Sequence, residues 1–148
     1  MKISKYQFDW GPLWVKQDNH KIVELSFNEI NPYAQGAKSD LIYQELVQYF
    51  KGELKEFTVE LNPQGTSFQK SVWNELLKIE HGTTLSYSQI AQRINNPTAV
   101  RAVGSAIGKN PIAIIIPCHR VINKDGRLGG YSGGIEHKIR LMEVEGIV

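Results

Sequence analysis

The chain is 148 residues long, with 41% hydrophobic and 22% charged residues, the composition of a globular protein with one domain or two small lobes. Its one cysteine excludes an internal disulfide. Together with the lack of a long apolar segment near the N-terminus, this favours a reducing, cytoplasmic location. The longest apolar run, residues 112–116, is far too short to cross a bilayer, so we expect no membrane partner.

Positive charge is concentrated in the second part of the chain. Residues 1–64 contain seven Lys, no Arg and nine acidic residues, a net charge of −2. Residues 65–148 contain five Lys, five Arg and six acidic residues, a net charge of +4. This basic excess favours a nucleic-acid-binding surface in the second part, although proteins without such a partner also show charge splits of this size.

The first part of the chain is predicted to be a small lobe of strands and one helix. Strand-like segments cover residues 3–8 and 13–27, and the second of them contains a polar turn typical of a hairpin. Apolar residues at helical spacing predict a helix over 39–51, and residues 54–61 are predicted to form another strand. A Pro- and Gly-containing break follows, so we place the lobe boundary after residue 64. Because this lobe has no reactive group of residues, we interpret it as a scaffold.

The second lobe is predicted to be mostly helical. Thr66 with Gln69, and Ser86 with Gln89, have the spacing of capping boxes, which are reciprocal hydrogen-bond pairs at helix N-termini. A helix is therefore expected after each pair, and a third helix is predicted over 97–108, beginning at a proline. A short helix, a tight turn and a second helix form the outline of a helix-turn-helix, although many helix pairs never contact DNA.

The third of these helices is unusually rich in small residues. Glycine in a helix interior costs about 1 kcal/mol relative to alanine, so two glycines suggest that another backbone or molecule approaches closely. That partner is either another helix of the core or a DNA groove, with Arg101 projecting from an otherwise smooth face. The small residues are Ala99, Ala102, Gly104, Ser105, Ala106 and Gly108.

The only cysteine lies in the segment Pro117-Cys118-His119-Arg120. The thiolate is the nucleophilic form of cysteine, and a neighbouring histidine and arginine favour it. Cys118 is therefore a candidate nucleophile and His119 a candidate base. The alternative is an inert cysteine at the end of a buried strand over 112–116, with Arg120 exposed.

Two further features follow the cysteine. The glycine-rich segment 129–134 is either a flexible loop or a pocket wall whose backbone can approach a flat ligand closely. The last helix is predicted over 135–145, where helical spacing from the preceding apolar residues turns Glu145 inward. A buried carboxylate needs a partner. His119 is the candidate, and a solvated glutamate at the helix end is the alternative.

The segment Pro117-Cys118-His119-Arg120-Val121 resembles the active-site signature of the alkylguanine-DNA alkyltransferases, repair proteins that remove alkyl groups from O6 of guanine. The resemblance runs from about Gly65 to Gly146, more than half of the chain, and does not extend to the residues before it. Its other matching segments are Gly65-Thr66, Phe68-Gln69, Val72-Trp73, Ser86-Tyr87, Ile90-Ala91, Ala99–Gly104, Asn110-Pro111, Gly129-Gly130-Tyr131, Gly133-Gly134 and Glu145-Gly146.

The resemblance supports an α/β (α+β) fold in which the N-terminal strand-and-helix lobe, residues 1–64, precedes a DNA-binding and alkyl-transfer domain, residues 65–148, with a helix-turn-helix. It implies double-stranded DNA containing alkylated guanine as the partner, with alkylated thymine as a further lesion. It also implies nucleotide flipping, a single turnover, no cofactor and no metal. Some relatives hold zinc through cysteines of the first lobe, and this chain has no cysteine outside Cys118. We expect a monomer.

For individual residues, the resemblance implies that Cys118 attacks the alkyl carbon, that His119 accepts its proton directly or through a water, and that Glu145 orients the imidazole. The small-residue helix lies in the minor groove, and its DNA-contacting residues are Arg101, Ala99, Ala102, Gly104 and Ser105, joined by Tyr87. The base is bound by the Tyr87 hydroxyl, the Ser132 amide and the carbonyls of Cys118 and Val121, in a pocket that includes Tyr131, Asn110 and Ala113. At the last of these positions some relatives carry proline.

Three other functions compete with alkyl transfer. A protein that binds DNA lesions without repairing them would not need Cys118. A helix-turn-helix regulator would not need the segment 117–120. A cysteine hydrolase built on Cys118, His119 and Glu145 would need an oxyanion site, which the sequence does not indicate.

Overall fold

A computed structural model describes all 148 residues, and the chain divides into two compact units. The first contains Met1–Gln64 and Pro111–Ala113, and the second contains Gly65–Asn110 and Ile114–Val148. The division falls after residue 64, where the boundary was predicted, except that the short segment Pro111–Ala113 belongs to the first unit. No helix has both the length and the apolar character needed to cross a membrane.

The first unit is a four-stranded sheet with one helix. Its strands are β1 (Lys2–Phe8), β2 (Gly11–Asp18), β3 (Lys21–Ser26) and β4 (Ala34–Gln35), in the order β3-β2-β1-β4. β1 pairs antiparallel with β2, β2 pairs antiparallel with β3, and β4 runs parallel to β1. The helix α1 (Leu41–Phe50) follows, so the predicted strand-and-helix lobe is confirmed.

The predicted hairpin joins β2 to β3 through Asn19 and His20. Both residues have positive φ, 50° and 68°, which matches the backbone twist that a two-residue hairpin turn requires. The core of this unit is formed by the buried residues of β1, β2 and β3 and by one face of α1. Its buried members include Tyr6, Leu13, Val15, Ile22, Leu25, Ile42, Leu46 and Tyr49.

The strand predicted over residues 54–61 is wrong. Only Leu61 forms an isolated bridge, with Ile22. The backbone amides of Thr58 and Val59 donate instead to the buried carboxylate of Glu45 on α1, at 3.0 and 3.2 Å. A side chain thus satisfies the donors that a neighbouring strand would otherwise have satisfied.

The strand predicted over residues 112–116 is also wrong. The Leu25 amide donates to the Pro111 carbonyl at 2.9 Å, and the Ala113 amide donates to the Leu25 carbonyl at 3.1 Å. This pairing assigns Pro111–Ala113 to the first unit. Ile114 then adopts a φ of 71°, a left-handed conformation that β-branched residues rarely take, and the chain turns there instead of extending. The apolar run is buried as a turn.

The second unit is mostly helical, as predicted. A short parallel pair, β5 (Leu85–Ser86) with β6 (Val121–Ile122), accompanies the helices, and Cys118–Arg120 form a 3₁₀ turn before β6. The helices are α2 (Ser67–Leu76), α3 (Tyr87–Arg93), α4 (Val100–Gly108) and α5 (Ile135–Val144).

Both predicted capping boxes are present at the starts of α2 and α3. Gln69 N donates to Thr66 Oγ1 at 3.1 Å, and Thr66 N donates to Gln69 Oε1 at 2.9 Å. The corresponding bonds of Ser86 and Gln89 measure 3.2 and 2.8 Å. The predicted helix pair is α3 and α4, although α4 begins at Val100 because the residues after the proline form a turn.

Candidate active site

Cys118 is buried at the start of the 3₁₀ turn, with 5% of its surface exposed. Asn110, which lies just beyond the end of α4, donates from Nδ2 to the Ile116 carbonyl at 2.8 Å and to Cys118 Sγ at 3.2 Å. One amide group therefore ties the thiol and the turn that carries it to the end of α4.

The environment of Cys118 keeps its thiol protonated at neutral pH. Burial raises the pKa of Cys118. Asn110, Tyr131 and the positive charge of Lys138 lower that pKa, each by less than burial raises it. Because the thiolate is the nucleophilic form, a base must accept the thiol proton before or during attack.

The His119 ring is buried beside the carboxylate of Glu145. His119 Nε2 lies 2.5 Å from Glu145 Oε2, so the predicted pairing of these residues is found. Burial, together with the positive charges of Arg120 and Lys138, lowers the pKa of His119, and Glu145 raises it only in part, so the imidazole is neutral at pH 7. With Nε2–H donating to the carboxylate, Nδ1 is the nitrogen that carries the lone pair. The tautomer fixed by Glu145 is therefore one that can accept a proton.

Glu145 also binds two other parts of the chain. Arg120 donates to it twice, from Nε to Oε1 at 2.8 Å and from Nη2 to Oε2 at 3.1 Å, and the Gly82 amide donates to Oε1 at 3.1 Å. The guanidinium also donates from Nη1 to the Ile79 carbonyl at 2.6 Å. Arg120 and Glu145 are each 7% exposed. The alternatives of an exposed Arg120 and a solvated Glu145 are therefore wrong.

The sequence interpretation missed Lys138, which is completely buried. Its Nζ donates to the carbonyls of Val121 at 2.7 Å and Gly130 at 3.3 Å, and to that of Leu128. These bonds hold the glycine-rich loop against β6. Burial lowers the pKa of Lys138, and the neighbouring Cys118 raises it by less.

A signal for Lys138 was present in the sequence. It precedes Leu141 by three residues and Glu145 by seven, so helical periodicity places all three on one face of α5. A lysine on a buried helical face needs acceptors. Those acceptors are backbone carbonyls of β6 and of the glycine-rich loop. Every residue type has a backbone carbonyl, so the sequence does not indicate which ones accept.

A cavity of about 310 Å³ opens beside Cys118. Burial raises the pKa of the Tyr87 phenol, and Cys118 raises it further, so its hydroxyl stays protonated and can donate a hydrogen bond. Residues of α4 and of the glycine-rich loop line the cavity. The lining residues are Tyr87, Gly104, Ile107, Gly108, Cys118, Gly130, Tyr131 and Ser132.

The outer face of α4 is an uncovered surface of small residues. Arg101, Ala102 and Ser105 are exposed. A Cβ atom added at Gly104 would meet only the Tyr87 ring, at 3.9 Å, and one added at Gly108 would meet nothing within 4 Å. Another helix of the core therefore does not account for these glycines. No group of three or more His, Cys, Asp or Glu side chains could hold a metal ion.

Comparison with known protein families matches both parts of the chain. The 6-O-methylguanine DNA methyltransferase DNA-binding domain matches residues 67–147, and the ribonuclease-like domain of 6-O-methylguanine DNA methyltransferase matches residues 1–63. The chain belongs to this family. The family's ribonuclease-like domain thus covers the part of the chain in which the sequence showed no resemblance.

Relatives in this family align over much of the chain. The inducible methylated-DNA–protein-cysteine methyltransferase of Bacillus subtilis is 55% identical over 144 residues, 93% of this chain and 70% of that protein. The Methanosarcina acetivorans enzyme of the same name is 55% identical over 103 residues, 70% of this chain and 66% of that protein. The crystal structure of Mycobacterium tuberculosis OGT in complex with DNA has 44% identity and a TM-score of 0.91, over 98% of this chain and 92% of that one.

Most site residues predicted for this family member lie in the second unit. Tyr87, Cys118, Tyr131 and Ser132 border the cavity with Gly104, whereas Asn110, His119 and Glu145 do not line it. Asn110 contacts the thiol, and His119 contacts Glu145. Arg101, Ala102 and Ser105 are exposed on α4, and Ala99 precedes its first turn. Val121 begins β6. Ala113 belongs to the first unit and is not among the cavity-lining residues, so its place beside the alkyl group stays a prediction.

Replacing Glu145 by Gln should destabilise the protein strongly. The change leaves the buried Arg120 guanidinium without its counter-charge, which typically costs about 3–5 kcal/mol. Urea unfolding should show this loss, whereas Glu143→Gln, an exposed change on the same helix end, should stay within about 0.5 kcal/mol. Similar midpoints for the two variants would show that the Arg120–Glu145 pair does not hold the site together.

Proposed function

We propose that this protein repairs DNA by moving an alkyl group from O6 of guanine to Sγ of its own Cys118. The observation that carries this proposal is the buried thiol. It opens on a cavity of base-binding size, and it lies beside a neutral histidine whose tautomer is fixed by a carboxylate. Membership in the 6-O-methylguanine DNA methyltransferase family supports the same reaction. The second unit would bind DNA and carry out the transfer, and the first would serve as a scaffold.

The transfer is a substitution at the alkyl carbon. The S–C bond forms while the C–O6 bond breaks, and the purine leaves as guanine. The thiol proton passes to Nδ1 of His119, directly or through a water, and Glu145 stabilises the imidazolium that forms. The group that leaves is the guanine anion, which takes a proton from solvent at N1, and the imidazolium returns the thiol proton to solvent, so that one proton is released and one is taken up.

Two residues that line the cavity, Tyr87 and Ser132, and the carbonyl of Val121, which is not among the lining residues, are proposed to bind the base. The protonated Tyr87 hydroxyl would donate to the minor-groove edge, and the Ser132 amide would donate to O6 as negative charge develops there. The Val121 carbonyl would accept from the exocyclic amine. It already accepts from Lys138 at 2.7 Å, but a carbonyl oxygen has a second lone pair.

The base must leave the duplex to reach a buried thiol, which costs a few kcal/mol. The exposed outer face of α4 would lie in the minor groove, where its small side chains allow close approach and Arg101 can occupy the space left by the extruded nucleotide. Each group proposed for the chemistry comes from one chain, which fits a monomer. Because the chemistry requires a reduced thiol, we place the protein in the cytoplasm.

A protein that only binds lesions is the second candidate. It would use the same α4 surface and cavity, but it would need neither a thiol nor the buried His119–Glu145 pair. The hydrogen bonds that position Cys118 and His119 therefore favour transfer. Incubation with a duplex containing O6-methylguanine, followed by intact-mass measurement, decides between the two, since only transfer adds a methyl group to the protein.

Transfer should be stoichiometric and should depend on Cys118. The product thioether has no good leaving group, and the chain contains no second thiol to resolve it. One methyl group per active protein should appear in an initial burst, on the peptide containing Cys118, with no steady state afterwards. Cys118→Ser should bind the methylated duplex and transfer nothing. Continued turnover in excess substrate would refute the single-use mechanism.

Replacing Arg101 by Ala should slow repair of duplex DNA far more than reaction with a free O6-alkylguanine base. The free base needs no extrusion, so only the duplex reaction loses the help of the arginine. A loss of about tenfold or more on the duplex corresponds to at least 1.4 kcal/mol of extrusion energy. Single-turnover rate constants on both substrates measure it, and equal losses would remove Arg101 from nucleotide flipping.

The rate constant for transfer should be nearly flat from about pH 6.5 to 8.5. Below this range His119 becomes protonated and cannot accept a proton. Because burial lowers the pKa of His119, the acid midpoint should fall below the ordinary value of about 6.5. Burial raises the pKa of Cys118, so thiolate forms without the base only at more alkaline pH. Single-turnover rates at saturating protein provide the test, and an acid midpoint above 6.5 would contradict His119 as the base.

A further inference from the structure

The last turn of α4 receives a hydrogen bond from a tryptophan on another helix. Trp73 lies on α2, is 2% exposed, and donates from Nε1 to the Ala106 carbonyl at 2.9 Å. In a regular α-helix that carbonyl would accept from the amide of residue 110. The Asn110 amide donates instead to the Ile107 carbonyl at 3.1 Å, and the Lys109 amide reaches the Ala106 carbonyl at 3.2 Å. The helix end is therefore tightened, and the indole uses the second lone pair of the Ala106 carbonyl.

The two residues that join the buried part of α4 to Asn110 have little packing of their own. Gly108 has no side chain, and Lys109 is exposed, so the course of the backbone there depends on its hydrogen bonds. The indole that supplies one of these bonds is fixed in place, because Gly65 lies directly against its ring. A Cβ atom at Gly65 would be only 2.5 Å from the Trp73 ring, closer than packed atoms approach each other.

The residue that follows this turn holds the sulfur. Asn110 Nδ2 donates to the Ile116 carbonyl at 2.8 Å and to Cys118 Sγ at 3.2 Å. Hydrogen bonds weaken steeply when donor and acceptor are misaligned. A small displacement of the last turn of α4 would therefore weaken both bonds, and the thiol would lose the amide that ties it to the helix.

We propose that the indole N–H of Trp73 positions the nucleophile: by holding the Ala106 carbonyl, it keeps the last turn of α4 in the place from which Asn110 contacts Cys118 Sγ. Trp73 does not line the cavity, so it acts through Asn110 and is a positioning residue. This inference rests on the proposed alkyl transfer and concerns how its nucleophile is aligned.

Trp73→Phe keeps an aromatic ring and removes the N–H. Transfer from a duplex containing O6-methylguanine should slow by about tenfold in single-turnover measurements, because displacing a reacting group by about 1 Å slows a reaction strongly. The pKa of Cys118 should rise, because Asn110 lowers it in the wild-type protein. The pH dependence of alkylation by iodoacetamide measures this pKa without DNA, since Cys118 is the only thiol.

Trp14→Phe is the matched control. Trp14 is 7% exposed in the first unit, and its Nε1 has no hydrogen-bond partner. The same substitution there removes a buried indole N–H without removing a hydrogen bond, so the transfer rate and the pKa of Cys118 should both stay at their wild-type values. Equal results for Trp73→Phe and Trp14→Phe would overturn the inference.

A double-mutant cycle separates positioning from a general loss of stability. If Trp73 acts through Asn110, Trp73→Phe should change the transfer rate by less than about twofold in the Asn110→Ala background. An effect of full size in that background would contradict the proposed route through Asn110.

Trp73→benzothienylalanine replaces only the N–H by sulfur in a ring of the same shape, so it provides the test if the smaller phenylalanine prevents folding. A wild-type transfer rate and a wild-type pKa of Cys118 in this variant would also overturn the inference. Absence of any methyl transfer by wild-type protein would instead overturn the proposed function, and the iodoacetamide measurement would still test the positioning of the thiol.

Discussion

The second unit depends on the buried carboxylate of Glu145. A charge removed from water must be paired and fully hydrogen bonded, and this one accepts hydrogen bonds from His119, from Arg120 and from the Gly82 amide. The Arg120 guanidinium balances the negative charge, and the same carboxylate also binds the imidazole. Because His119 and Arg120 directly follow Cys118 in one 3₁₀ turn, that turn cannot move without breaking these bonds. The position of the thiol is thus set by the hydrogen bonds of the two residues that follow it.

The same burial explains why the thiol and the imidazole carry no charge before reaction. It raises the pKa of Cys118 and lowers that of His119, so thiol and imidazole are both neutral at pH 7. Proton transfer from the thiol to the imidazole costs the least free energy when an electrophilic carbon is bound next to the sulfur and reacts with the thiolate. A preformed thiolate would be more reactive toward any oxidant or electrophile, whereas a neutral thiol reacts when a bound substrate holds the carbon in line. Asn110 and Lys138 offset part of the cost, because both favour the charged sulfur.

The features predicted correctly from the sequence are local. A capping box needs two residues three positions apart, and the inward orientation of Glu145 follows from helical periodicity alone. The failures involve long-range partners. An apolar run such as 112–116 has the same pattern in a buried strand and in a buried turn, and only the left-handed φ of Ile114 distinguishes them. Lys138 finds its acceptors on loop and strand carbonyls, which residue identity does not reveal.

The helix α4 joins the proposed DNA-binding surface to the residue that holds the thiol. The inner face of α4 is buried through Val103, Ala106 and Ile107, and Trp73 Nε1 on α2 donates to the Ala106 carbonyl at 2.9 Å. Its outer face carries Arg101, and two residues beyond its end Asn110 holds the sulfur. A helix of nine residues with this buried face does not bend or slide independently of the core. Docking of this outer face on DNA, as proposed above, would therefore also fix where the thiol lies relative to the duplex.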